Sequence, residues 1–184
     1  MRNQRSRKIV FIGMFAGLMA VFSQISFPVP FSTVPFSLGV FGAFLSGVML
    51  SPSSAVQAQA VYLLLGAVGL PVFSQFTGGL SILAGPTGGF LAGYVLLAFF
   101  SSFVSRRMKK YQIIGEFAGM LLGLALCYIC GMLWFSKIMN VPVMSAFVLS
   151  VMPFIPFDLV KLVLAWYVGK ILKTAFEKSG LRMP

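Results

Sequence analysis

The stretch "VPVMSAFVLSVMPFIP", residues 141–156, decides how many times this chain crosses a bilayer. It is apolar enough to count as a span. Its prolines argue otherwise, because proline removes a helical N–H and its ring clashes with the preceding turn. Counting it as a span would also place the basic residues near the C-terminus on the face opposite those near the N-terminus. We therefore read 141–156 as a helix lying at or dipping into the outer surface, leading into the last span.

The rest of the chain supports that reading. A mean hydropathy of +0.97 lies far outside the range of a soluble domain. Only 9% of the residues are charged. At about 20 residues per transmembrane helix plus short connections, the length allows roughly five to seven spans. The apolar segments run from Ile9 to Ser26, Phe36 to Leu50, Ala55 to Val72, Gly89 to Val104, Ile113 to Phe135 and Phe157 to Ala175. The first, with basic residues before it, has features of a secretory signal, but its length and the segments that follow favour an uncleaved helix. No repeat, low-complexity tract or linker divides the sequence. The expectation is an all-α, multi-pass protein of the cell membrane, with six transmembrane helices in a single domain over residues 1–184.

Charge sets the orientation. Arg2, Arg5, Arg7 and Lys8 precede the first segment; Arg106, Arg107, Lys109 and Lys110 form a second cluster; Lys170, Lys173, Lys178 and Arg182 form a third. Only Lys137 and Lys161 of the 14 basic residues lie outside these clusters. Basic residues flanking apolar helices mark the cytoplasmic side, so both termini are expected there. Contact with the lipid bilayer and its anionic headgroups follows. Neither a basic groove nor a nucleic-acid-binding motif accompanies the net charge of +11, which argues against a nucleic-acid partner. The outer connections are then 27–35, 73–89 and 136–156. Their prolines and glycines contrast with the minimal inner connection "SPSS", so specificity is expected at the outer mouth, where non-helical backbone can line a cavity.

Candidate chemistry is sparse. The sequence has no histidine, which excludes Ser-His-Asp and Cys-His catalysis and histidine-dependent metal sites. Cys127 and Cys130 lie inside an apolar segment without a second ligand pair and read as inert. No phosphate-binding glycine loop is present, so the chain does not itself hydrolyse ATP. Glu116 reads as a helix-start acid favoured by the dipole and by nearby cations. Asp158 and Lys161, in "PFIPFDLVK" (153–161), stand apart. Charges at membrane depth are costly and mark ligand or ion paths, yet residues at i and i+3 can also pair to close a helix end. A carboxylate that accepts paired N–H groups, beside an ammonium, suits a small, polar, anionic molecule. An intramembrane enzyme would have only this pair to work with, and a purely structural protein would not need it.

These residues carry a family resemblance. "PFIPFDLVK" resembles the P-F-I-P-G-D-x-x-K signature of the BioY family. "VYLLLGAVGLPVFSQFTGGLSILAGPTGGFLAGY" (61–94) resembles that family's Y-L-x-x-G-x-x-G-L-P-V-F … G-G … G-P-T-G-G-Y stretch, and "VPFSLGV" (34–40) resembles its V-P-x-T-L-Q segment. The BioY resemblance implies the biotin-specific S component of an energy-coupling-factor (ECF) transporter, a binding protein and not an enzyme, without metal or cofactor. It implies partners as well: biotin, a transmembrane T component and two ATP-binding subunits. An S component for another vitamin, or a solitary biotin transporter, are the alternatives.

Carried over by motif, Asp158 would accept the ureido N–H groups of biotin. Lys161 would meet the ring carbonyl, the carboxylate or Asp158. Gly79, Gly85, Thr87 and Gly88 belong to the loop that would close over the ligand, where glycine permits positive φ. Tyr62 and Phe73 are aromatic candidates for packing on the bicyclic ring. Ala16 and Ala20, four apart on the first segment, match the A-x-x-x-A by which S components contact the T component. The sequence departs from the family at Phe157, where glycine is usual, at Gly39 for glutamine and at Phe90 for tyrosine. Leu91 stands where some members place an arginine suited to the carboxylate. Phe157 is expected to narrow the pocket.

Overall fold

The computed structural model describes residues 2–30, 32–108 and 111–179. Lys109, Lys110 and Arg182 of the basic clusters lie outside the described residues, as does the side chain of Arg2. The chain runs α1 (Arg2–Gln24), β1 (Ser26–Val29), β2 (Ser32–Ser37), α2 (Gly39–Met49) and α3 (Pro52–Ala67). A 3-10 turn follows at Ser74–Phe76, then α4 (Leu80–Ala84), α5 (Gly88–Arg107), α6 (Gln112–Met139), α7 (Val143–Ser150) and α8 (Ile155–Lys178).

The fold is mainly helical, and the all-α expectation is corrected at residues 26–37. These residues, expected as an outer connection, form an antiparallel hairpin, with Phe27 paired to Phe36 and their rings stacked at 4.6 Å. Pro28, Pro30 and Pro35 suit a two-stranded ribbon, whose outer edges need no donor. The lengths of the helices also differ from six equal spans. Among the described residues, three helices are long and apolar enough to cross a membrane, over Arg5–Gln24, Gly88–Arg107 and Gln112–Met139. α7 and α8 form a pair bent by 54°. The chain thus turns at residues 151–154, as the prolines require, and Pro156 sits in the first turn of α8, where a missing N–H is tolerated. α2, with 11 residues, spans only about 16 Å at 1.5 Å per residue. α3, with 16, is also shorter than a bilayer core of about 30 Å.

Short as it is, α2 lies at the centre, packed against α1, α5 and α8. Its residues from Gly42 to Met49 are all buried, as expected of a helix that is apolar all round. α5 packs along most of α6, with Gly93, Gly119 and Gly123 at the crossing, where an added Cβ would meet the other helix's backbone within about 3 Å. Contacts between elements define two ends of the bundle. At one, Phe11 of α1 meets Phe176 of α8 edge-on at 5.5 Å, and Ser102 of α5 donates to the carbonyl of Leu50. The described basic clusters lie at this end. The hairpin, α4, α7 and the start of α8 lie at the other.

Glu116 belongs to the basic end, and its partners differ from the expected neighbours in sequence. It is 1% exposed and accepts from Trp166 Nε1 at 2.8 Å and from Lys173 Nζ at 3.1 Å, both on α8. The acid therefore ties α6 to α8. A hydrogen bond to a charged group contributes about 1.5–3 kcal/mol, so Glu116→Ala is expected to lower stability by roughly that amount. Thermal unfolding in detergent, with ligand binding measured alongside, checks this: binding at the opposite end should persist.

Candidate ligand-binding site

Three elements converge where α8 begins. Asp158 lies in the first turn of α8, where the helix dipole favours an acid. It is 2% exposed, and Lys161 is 5% exposed. Lys161 Nζ donates to Asp158 Oδ1 at 2.7 Å and to the carbonyl of Ser37, the last residue of β2, also at 2.7 Å. Its ammonium sits 3.9 Å over the ring of Phe36. Tyr128 of α6 donates to the other carboxylate oxygen, Oδ2, at 2.7 Å. The pair is more than a helix-end closure: it joins α8, α6 and the hairpin.

Asp158, Lys161 and Tyr128 line a cavity of about 40 Å³. A neighbouring cavity of about 230 Å³ extends from it toward the 73–87 connection, and the two share Val34, Pro35, Ser37, Phe90 and Tyr94 as walls. Phe73 and Thr87 line the larger one, as do Thr33, Gln75 and Thr77. Together the two cavities offer one polar charged end, an aromatic middle and a neutral hydroxyl- and amide-bearing end.

The connection that covers the larger cavity is held in a strained shape. Gln75 and Phe76 have φ of 61° and 56°, uncommon for residues with a Cβ. Their N–H groups donate to Ser26 Oγ and Gln24 Oε1, each at 2.9 Å. Gln24 Nε2 donates to the carbonyls of Pro71 and Phe73 at 2.9 and 3.0 Å. One side chain at the end of α1 thus fastens this connection at three points. Gly79 has φ of +99°, which a larger residue would strain, and its N–H donates to the carbonyl of Gly66 at 2.7 Å. Trp134 Nε1 of α6 donates to the carbonyl of Gly85 at 2.9 Å.

The sequence-predicted residues fall into three groups. Asp158, Lys161, Phe73 and Thr87 line the cavities. Gly79, Gly85 and Gly88 shape the covering connection without lining either cavity. Tyr62 lies elsewhere: it is fully buried, bonded to Ser23 Oγ at 2.8 Å and packed edge-on against Phe73 at 5.5 Å. It supports Phe73, which in turn seats against Gly66. Ala16 is 1% exposed and Ala20 half-buried, both in the core, because small residues let α1 approach its neighbours. The open small residues of α1 are Gly13 and Gly17, where an added Cβ meets nothing within 4 Å. Phe157 does not narrow the pocket. It is 55% exposed and packs edge-on against Phe36, outside both cavities.

Sequence reading missed Tyr128, Ser37, Phe36, Tyr94 and Gln24. A hydroxyl or amide inside an apolar segment was the available signal for Tyr128 and Gln24. The Ser37 carbonyl left none. Gly39 acquires a reason as well: a Cβ there would come within 2.9 Å of the Tyr94 hydroxyl, so the missing glutamine leaves room for a cavity-lining tyrosine.

Comparison with known proteins agrees with this architecture. The BioY family matches residues 1–178. The biotin transporter BioY of Thermotoga maritima is 38% identical over 167 residues, covering 91% of this chain and 96% of its own. A probable biotin transporter BioY of Pyrococcus horikoshii is 31% identical, covering 92% and 98%. Among solved structures, the S-component for biotin from an ECF-type ABC transporter superposes with a TM-score of 0.87 at 24% identity, over 95% of this chain and 94% of that one. A second S component of a bacterial ECF transporter gives 0.58 at 16% identity, over 97% and 99%, and these likenesses show a shared fold. Matched over almost its whole length, and to relatives covered nearly end to end, the chain belongs to the BioY family.

Proposed function

We propose that this protein is the biotin-binding S component of an ECF transporter, a plasma-membrane protein with six transmembrane segments and both termini cytoplasmic. In this reading α2 and α3 count as segments despite their length, and α7–α8 as one. The basic end faces the cytoplasm, and the end carrying the cavities faces outward. The observation that carries the binding role is the buried Asp158 at the cavity wall. An ionised carboxylate has about four acceptor positions. Lys161 and Tyr128 each use one, on different oxygens, which leaves one on each for the two ureido N–H groups. Lys161 and Tyr128 also fix the carboxylate's rotation, so little ordering remains at binding.

Biotin enters beneath the 73–87 connection, its ring toward Asp158 and its chain toward Thr87. Phe73, Phe90 and Tyr94 supply apolar contact. Asp158→Asn replaces one acceptor oxygen by a donor at constant shape. Biotin affinity of the purified protein is expected to fall roughly ten- to hundredfold, the equivalent of a charged hydrogen bond. Thermal unfolding without ligand is measured in parallel, since the exchange also unpairs Lys161. Unchanged affinity in a well-folded variant removes Asp158 from the site.

Gln24→Ala releases the three hydrogen bonds that fasten residues 71–76. Its expected effect is a faster biotin off-rate with a smaller change in on-rate, read by stopped-flow; equal off-rates would detach this connection from ligand retention. A T component and two ATP-binding subunits complete the transporter, with the outward face of α1 at Gly13 and Gly17 as the contact. Tryptophan at both positions is expected to abolish co-purification with those subunits while biotin binding persists. Tryptophan at the buried Ala16 is expected to disrupt the fold.

A further inference from the structure

We infer that the site reads only the ring end of its ligand by charge, and takes biotin with a capped carboxylate, as amide or methyl ester, about as well as biotin itself. This rests on the biotin reading above. An ammonium has three N–H donors. In Lys161 one goes to Asp158 Oδ1 and one to the Ser37 carbonyl, and the ammonium lies on the face of Phe36. The remaining N–H lies at the ring end, since Lys161 lines the smaller cavity and not the larger one. The pair is also balanced, so the charged end presents no surplus positive charge to a carboxylate.

The other end of the cavity supplies none either. Thr33, Ser74, Thr77 and Thr87 bring hydroxyls and Gln75 an amide, and no described cation lines the larger cavity. Lys137, the other basic residue at this end among those described, is exposed and lines neither cavity. The remaining described cations lie at the basic end. Arg106 and Arg107 end α5, about 30 Å along the helix axis from Thr87 at 1.5 Å per residue. On α8 the helix axis runs about 30 Å from Asp158 to its end at Lys178. What the carboxylate meets is neutral donors and the start of α5, whose dipole gives only a weak preference for an anion. The exposed Gln75 at the rim leaves that end open to larger tail groups.

Competition titration of the purified full chain with biotin, biotinamide and biotin methyl ester tests this. The three affinities are expected to agree within about fivefold, the range of a helix-end effect. A capped ligand weaker by more than roughly tenfold, as loss of a charge-assisted hydrogen bond would give, overturns the inference while the biotin reading stands. Absence of saturable biotin binding overturns both. Gln75→Lys supplies the missing cation on the exposed rim, and is expected to create a preference for biotin over biotinamide of roughly tenfold. An unchanged ratio there would overturn the placement of the tail. Lys137→Ala should leave the ratio unaltered; a fall in biotin affinity alone would show that Lys137 reaches the carboxylate and would overturn the inference.

Discussion

The bond from Lys161 to the Ser37 carbonyl is the constraint on which the cavity-bearing half depends. A hairpin of two short strands is marginal on its own. Here its last residue is tied by an ammonium to α8, and its Phe36 is held between that ammonium and the ring of Phe157. Asp158 holds the ammonium in place, and Tyr128 brings in α6. Removing a single partner of such a buried pair is expensive because it strands the other charge. The same cluster therefore sets the position of the hairpin and forms a wall of the cavity.

A second constraint is the brevity of α2 and α3. Neither reaches the length of a bilayer core, and the depth they leave unfilled at the cavity end is occupied by the hairpin and by residues 68–87. Backbone that is not helical needs partners away from water. Gln24, Ser26 and Trp134 supply several, and the antiparallel ladder supplies others. A cavity arises where two short helices end beneath irregular chain.

The sequence made the membrane class, the basic end and the break at 141–156 legible because each rests on composition, charge or proline chemistry. Asp158 and Lys161 were legible because charges are rare in apolar segments. The hairpin was not: 26–37 is too rich in proline for ordinary strand signals, and its pairing is fixed by contacts with α8 more than a hundred residues away. Ala16 and Ala20 show a different limit. Spacing reveals that small residues share a helix face, but not whether that face looks inward, and here Gly13 and Gly17 hold the open side. Tyr62 likewise shows that an aromatic near a binding motif can act through a neighbour.

Several rings in this bundle sit in sockets made by glycine on another element: Phe73 against Gly66, Phe90 against Gly131, Tyr94 above Gly39. Each glycine and its ring form one unit of volume, since a Cβ at the glycine and the ring cannot occupy the same space. Such positions should drift together through evolutionary time. A relative with a bulkier residue at the position of Gly39 is one in which the Tyr94 position carries a smaller or displaced side chain. The pairing 39 with 94 alters the wall shared by both cavities, and 66 with 73 alters the roof of the larger one, so covariation at these sites tracks the shape of the cavity.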